Sequence, residues 1–219
     1  MTQALPAIRE RSLEAEARAL YSDNLPYHNF EHIIDTLAAA TLIIERCRAE
    51  NIRVDTAVVY YALLFHDAGY HQDHLAHGFA TKERFSVALA APILRQHGVA
   101  AAQIEKTLAA ILATERDGIF VSAEQKAVRA ADLSGLAADY PTFLRSSLKL
   151  KCEHELLFQR HLSWPDWQRA SREVLGYHLT QEIRLTSYYR DDNGASAFHQ
   201  AVRSNLTRLL EEPAEPPIL

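Results

Sequence analysis

The stretch from Pro26 to Leu37, PYHNFEHIIDTL, constrains the rest of the chain most. Wound as a helix, it puts His28, His32 and Asp35 on one side, and Phe30, Ile33, Ile34 and Leu37 on the other. Side chains four apart on a helix have Cβ atoms about 5–6 Å from each other, near enough to serve one site. Farther along, the histidine side continues as Ala39, Leu42 and Ile43, so the helix turns apolar all round. A helix of that kind runs through the middle of a protein. Its polar first turns then form an internal pocket, and two histidines in a pocket call for partners.

A chain of 219 residues is long enough for one large domain or two small ones with a substantial core. Only seven glycines, with frequent Ala, Leu, Glu and Arg, favour helix over strand. The net charge of −5 offers no broad positive field to a nucleic-acid backbone. A nucleic-acid polymer is therefore not expected as a partner, although a nucleotide substrate is compatible. Cys47 and Cys152 stand far apart with no CxxC partner and read as reduced cytosolic thiols. No basic segment followed by an apolar stretch opens the chain, so no signal peptide is expected. The longest apolar run, residues 57 to 65, is about half of the roughly 20 residues a membrane span needs. The expectation is a soluble, cytoplasmic protein without a membrane partner.

Periodicity predicts helices throughout. The first opens at Pro6 and runs to about Tyr21, with Ile8, Leu13, Ala17 and Leu20 inward, and the turn at 22–26 ends it. The histidine-bearing helix follows over about 29–50. Asp55 caps a third over 56–67, and Gly69 is placed to adopt the left-handed conformation that stops it. HQDHLAHG, residues 71–78, is a loop. Further helices cover about 79–97 (interrupted by Pro92), 101–114, and a sixth capped by Ser122 and ending near Asp132. Beyond these come 142–161, a start at Ser163-Trp164-Pro165, punctuation at Gly176 and Asn193-Gly194, and a last helix over 196–211. No window alternates with period two, and no repeat or long linker divides the chain. The reading is one all-α domain over 1–211, with a disordered tail at 212–219.

Six of the eleven histidines lie between positions 28 and 77, which raises a metal hypothesis. The sharper signal is His66-Asp67 at the end of an apolar helix. An imidazole and a carboxylate on adjacent residues can both turn toward a cation past the helix C-terminus, where the partial negative charge also favours it. Asp132 ends another apolar helix among Ala130, Ala131 and Leu133. A carboxylate in such company is costly unless it is paired or bound to a metal.

His32, then His66-Asp67, then Asp132 resembles the signature of the HD-domain superfamily of metal-dependent phosphohydrolases. Tyr27-His28-Asn29 through His32 is similar to the Tyr-His-Asn-x-x-His motif of cyclic-nucleotide phosphodiesterases in that superfamily. Ala131-Asp132-Leu133-Ser134 is similar to their closing motif. Phe65 to Tyr70 and Glu83 to Ser86 also match the pattern of short bacterial HD phosphohydrolases. The likeness runs from about Tyr27 to Leu136, and the last 80 or so residues add nothing to it.

The resemblance implies a compact HD-type helical bundle with a metal-site core over about 27–136 and additional C-terminal helices. It implies that His32, His66, Asp67 and Asp132 are ligands of a divalent metal ion. Two imidazoles and two carboxylates suit Mn²⁺, Fe²⁺, Co²⁺, Ni²⁺ or Zn²⁺, with Mg²⁺ also to be tested. The implied activity is hydrolysis of a phosphomonoester or phosphodiester of a nucleotide or other small metabolite, by metal-activated water. His28 is implied as proton donor or phosphate contact, and Asp67 and Glu83 as further catalytic groups. Binuclear members carry additional histidines between the His-Asp pair and the last Asp. Glu83 stands about where one would fall and Thr114 to Asp117 holds none, which favours one ion over two. If Asp67 bridged two ions, Glu83 would be close to the second. His71, His74 and His77 are reserve ligands. Tyr70 takes the place of the Glu in the HDxxE arrangement of some nucleotidases, so their base and substrate do not carry over. Basic candidates for the phosphate are Lys82, Arg84, Arg116, Lys126 and Arg129. His97, His154, His161, His178 and His199, with Trp164, Trp167, Tyr188 and Tyr189, read as packing or surface. Two other readings stay open: a non-catalytic metal- or nucleotide-binding regulator, and a di-iron oxygenase.

Overall fold

The structure, a computed structural model, describes residues 10–190 and 194–216. Among these residues there is no strand, and there are nine α-helices. They are α1 (Arg11–Arg18), α2 (Phe30–Ala49), α3 (Thr56–Phe65), α4 (Lys82–Gln96), α5 (Ala101–Leu112), α6 (Ala123–Asp132), α7 (Tyr140–Phe158), α8 (Trp164–His178) and α9 (Ala197–Glu211). Pro6 and Ile8 of the expected first helix lie outside the described residues, as does Asn193. Where the sequence reading has one domain, the chain divides into two compact units, Met1–Asp132 and Leu133–Leu219. No linker announces the boundary, because it falls where α6 passes into a 3₁₀ turn, Leu133–Ala137.

In the first unit α3 is the central helix. Every residue from Val58 to Phe65 is buried, and the helix packs against α1, α2, α4, α5 and α6. Its start is fixed by Asp55, whose carboxylate accepts the N–H groups of Ala57 and Val58 at 3.1 and 3.3 Å. Such a cap contributes about 1 kcal/mol. The central place that the sequence suggests for α2 thus belongs to α3. Ile34 and Leu42 of α2 are 40% and 58% exposed, and Asp35 is exposed beside them. The inner face of α2, with His32, Ile33, Leu37, Ala40 and Ile44, packs on α3 and α6. Pro92 does not interrupt α4: both Pro92 and Ala88 are exposed, so the carbonyl that loses its partner can meet water. In α6 a reciprocal capping box forms. Ser122 Oγ accepts the Gln125 N–H at 3.2 Å, and Gln125 Oε1 accepts those of Val121 and Ser122 at 2.8 and 2.9 Å.

The turn after α3 is held from two sides. Gly69, at φ +74°, donates its N–H to the Leu20 carbonyl at 2.9 Å, and Ser86 Oγ of α4 donates to the Ala68 carbonyl at 2.9 Å. A Cβ on Gly69 would stand 2.7 Å from Phe85 Cε1 and 2.8 Å from Leu89 Cδ1. Gly69→Ala therefore meets both a left-handed backbone and overpacking. It should lower unfolding free energy by about 2–3 kcal/mol, read as a shift in denaturation midpoint.

The second unit builds its own core from Tyr140, Phe143, Leu148, Trp164, Leu175, Ile183, Leu185, Tyr189, Phe198, Val202 and Leu209. Gly176 lies inside α8 rather than ending it. Of the tail expected to be disordered, residues 212–216 are described and tied down. The Glu212 carboxylate accepts the Tyr140 hydroxyl at 2.8 Å, and Glu215 pairs with the buried Lys151 at 3.1 Å. Residues 217–219 lie outside the described residues.

Candidate metal centre

Three helices of the first unit each bring a side chain to one place. His32 sits in the first turn of α2, where Asn29 Oδ1 caps the helix by accepting the Glu31 and His32 N–H groups. His66 caps the C-terminus of α3 and Asp67 follows it in the turn. Asp132 is the last residue of α6, whose residues 127–131 are all buried. His32 Nε2 stands 3.5 Å from Asp67 Oδ2 and 3.7 Å from Asp132 Oδ1. His66 Nε2 stands 3.0 and 3.5 Å from the same two oxygens. Of these residues, His32, His66 and Asp132 each offer a ligand atom within 4.8 Å of the others, a group that could hold a metal ion.

The chemistry of this donor set fits a cation. The Leu63 carbonyl can only accept, so the 2.9 Å contact with His66 Nδ1 fixes the proton there. In the neutral ring Nε2 is then a lone pair facing two carboxylates, the orientation that metal-bound histidines take. Neither His32 Nε2 nor His66 Nε2 makes a hydrogen bond, although both atoms are buried. The oxygens beside them lie near in distance but off the direction that a ring N–H would need. Donors at bonds of about 2.1 Å to one ion stand roughly 3.0–3.4 Å apart at angles from octahedral to tetrahedral. The observed separations of 3.0 to 3.7 Å sit around that range.

Electrostatics agree. Burial alone would lower the His66 pKa, yet the charges of Asp67 and Asp132 raise it well above the ordinary value. Burial alone would raise both carboxyls, yet the neighbouring histidines pull them below the usual carboxylate range. The two carboxylates thus draw positive charge to this place. Two half-buried carboxylates this close together would be unfavourable without positive charge beside them.

Around this centre stand further residues named from the sequence. His28 precedes the Asn29 cap rather than sitting on α2, but the turn still brings its ring within 5.8 Å of the His32 ring. Glu83 lies in the first turn of α4; burial, then the charges of Asp67, Glu115 and Asp132, raise its pKa above an ordinary glutamate's. His71 and His77 are exposed and His74 half-buried in the loop after Tyr70, and none joins the ligand group among the described residues. Arg129 is not a phosphate contact: only 1% exposed, it donates to the carbonyls of Thr114, Glu115 and Arg116 at 2.6, 3.0 and 3.3 Å. Arg84 is exposed and stands 3.5 Å from Glu115.

Two contributors escape sequence reasoning. The Leu63 carbonyl orients His66, a contact that three-residue spacing at a helix end makes available to almost any histidine. Tyr70, which the sequence offers as part of a motif but with no task of its own, stacks on His28 at 3.7 Å between ring centroids. No family model matches this chain, and no curated protein matches it in sequence.

Proposed function

We propose that the chain is a metal-dependent phosphohydrolase acting on a phosphate ester of a nucleotide or other small metabolite. The observation that carries this reading is the convergence of two buried histidine Nε2 atoms, neither hydrogen-bonded, on two half-buried carboxylates. His32, His66 and Asp132 would hold one divalent ion, with Asp67 as the fourth ligand. The ion, of the Mn²⁺, Fe²⁺, Co²⁺, Ni²⁺, Zn²⁺ or Mg²⁺ class, would polarise the phosphoryl group and acidify a bound water. His28, beside this set, would give a proton to the leaving oxygen as the P–O bond breaks. Glu83, in the first turn of α4, would take the proton of the attacking water. The likeness of residues 27–136 to the HD superfamily points the same way.

The test is a panel of phosphomonoesters and phosphodiesters assayed with Mn²⁺, Co²⁺, Ni²⁺, Zn²⁺ and Mg²⁺. Turnover is expected with at least one ion. His28→Ala should keep its metal content while kcat falls by roughly 10²–10⁴-fold. Silence of the wild-type protein on every ester would favour a binding protein, and iron-dependent oxygen uptake an oxygenase.

A further inference from the structure

His28 lies ahead of the helix cap at Asn29, so helical geometry does not set its ring. Aromatic neighbours do. Tyr27 meets it edge-on at 4.9 Å and 81°, and His32 at 5.8 Å and 75°. The closest is Tyr70, whose ring lies almost parallel to His28, with centroids 3.7 Å apart and planes 12° from one another. Tyr70 is itself anchored, since its N–H donates to the Asp67 carbonyl at 3.1 Å.

The other side of Tyr70 is covered as well. Nζ of Lys82, the first residue of α4, stands 3.2 Å from the Tyr70 ring centroid. An atom so near the centroid cannot lie in the ring plane without overlapping the ring carbons. The face carrying His28 is taken, so the ammonium rests on the opposite face, where the ring quadrupole attracts it. The result is a column of imidazole, phenol ring and ammonium beside the ligand set.

We propose that Tyr70 is a positioning residue for His28. Clamped by Lys82 and tied to the backbone of Asp67, it fixes the plane of the imidazole next to the metal ligands. A proton on His28 is then delivered in one direction instead of many. This rests on the reading of His28 as proton donor.

Histidine ring resonances of the protein, with and without diamagnetic Zn²⁺, test the stack apart from any turnover, with His28→Gln identifying the signals. In wild type the His28 ring protons should be shifted upfield by the Tyr70 ring current. Tyr70→Leu should abolish that shift and Tyr70→Phe preserve it. In the ester assay Tyr70→Leu should lower kcat by roughly 10²-fold with KM and metal content little changed, and Tyr70→Phe should recover most of the loss. His28 signals unmoved in Tyr70→Leu, or a wild-type kcat in that variant, would overturn the inference. Absence of turnover in wild type with the ring-current shift intact would instead reject the hydrolase reading and leave the stack established.

Discussion

His66→Ala should lose metal binding and turnover together. The side chain is 1% exposed, donates through Nδ1 to Leu63, and presents Nε2 to Asp67 and Asp132. Alanine removes one donor of the set and leaves the two carboxylates with His32 and, at Asp67, His28 to offset them. Among the described residues no further histidine belongs to the ligand group. Turnover should drop by on the order of 10³-fold or more, and metal content after dialysis should fall to background. The contrast with His28→Ala, which keeps its ion, separates holding the metal from moving a proton.

Arg129→Met should destabilise the first unit without touching a ligand. The guanidinium gathers the carbonyls of Thr114, Glu115 and Arg116 and lies over Phe120, at 5.8 Å from its centroid. These carbonyls follow the C-terminus of α5, where partial negative charge accumulates. Methionine fills much of the volume but leaves the buried Thr114 carbonyl, and the half-buried ones beside it, without this donor, at about 3 kcal/mol for charge-assisted bonds of this kind. The midpoint of thermal unfolding should fall by roughly 6–12 °C. Because Thr81 Oγ1 donates to Glu115 Oε1 at 2.8 Å, loosening this turn also frees the start of α4, which carries Lys82 and Glu83. Unchanged thermal stability in Arg129→Met would show that water replaces the guanidinium.

The cluster of His32, His66 and Asp132, with Asp67 beside it, was legible in the sequence because each member sits at a helix end beside apolar neighbours. His66-Asp67 closes the most apolar helix, and Asp132 closes a run of buried alanines. Several starts were legible for the same local reason, at Asp55, Ser122, Ser163 and Ser196, where a short polar side chain accepts a free N–H. What depends on packing was not legible. Leu42 looks like a core residue in sequence yet is exposed, since single apolar side chains on a surface are common. Arg129 looks like a surface cation until three carbonyls are seen around it. His28 and His32 stand close together, but through a turn rather than a helix face. The boundary at Asp132 has no composition shift to mark it, because helical sequence continues on both sides.

The most direct measurement is a calorimetric titration of chelator-stripped protein with Mn²⁺ or Zn²⁺. Wild type should bind one ion per chain and release a proton, because His66, with its pKa raised by the two carboxylates, must give up its proton to act as a ligand. Affinity should therefore rise with pH through that elevated pKa and level off above it. His66→Ala should show no saturable binding. Absence of saturable binding in wild type, or equal binding by the two proteins, would contradict the account.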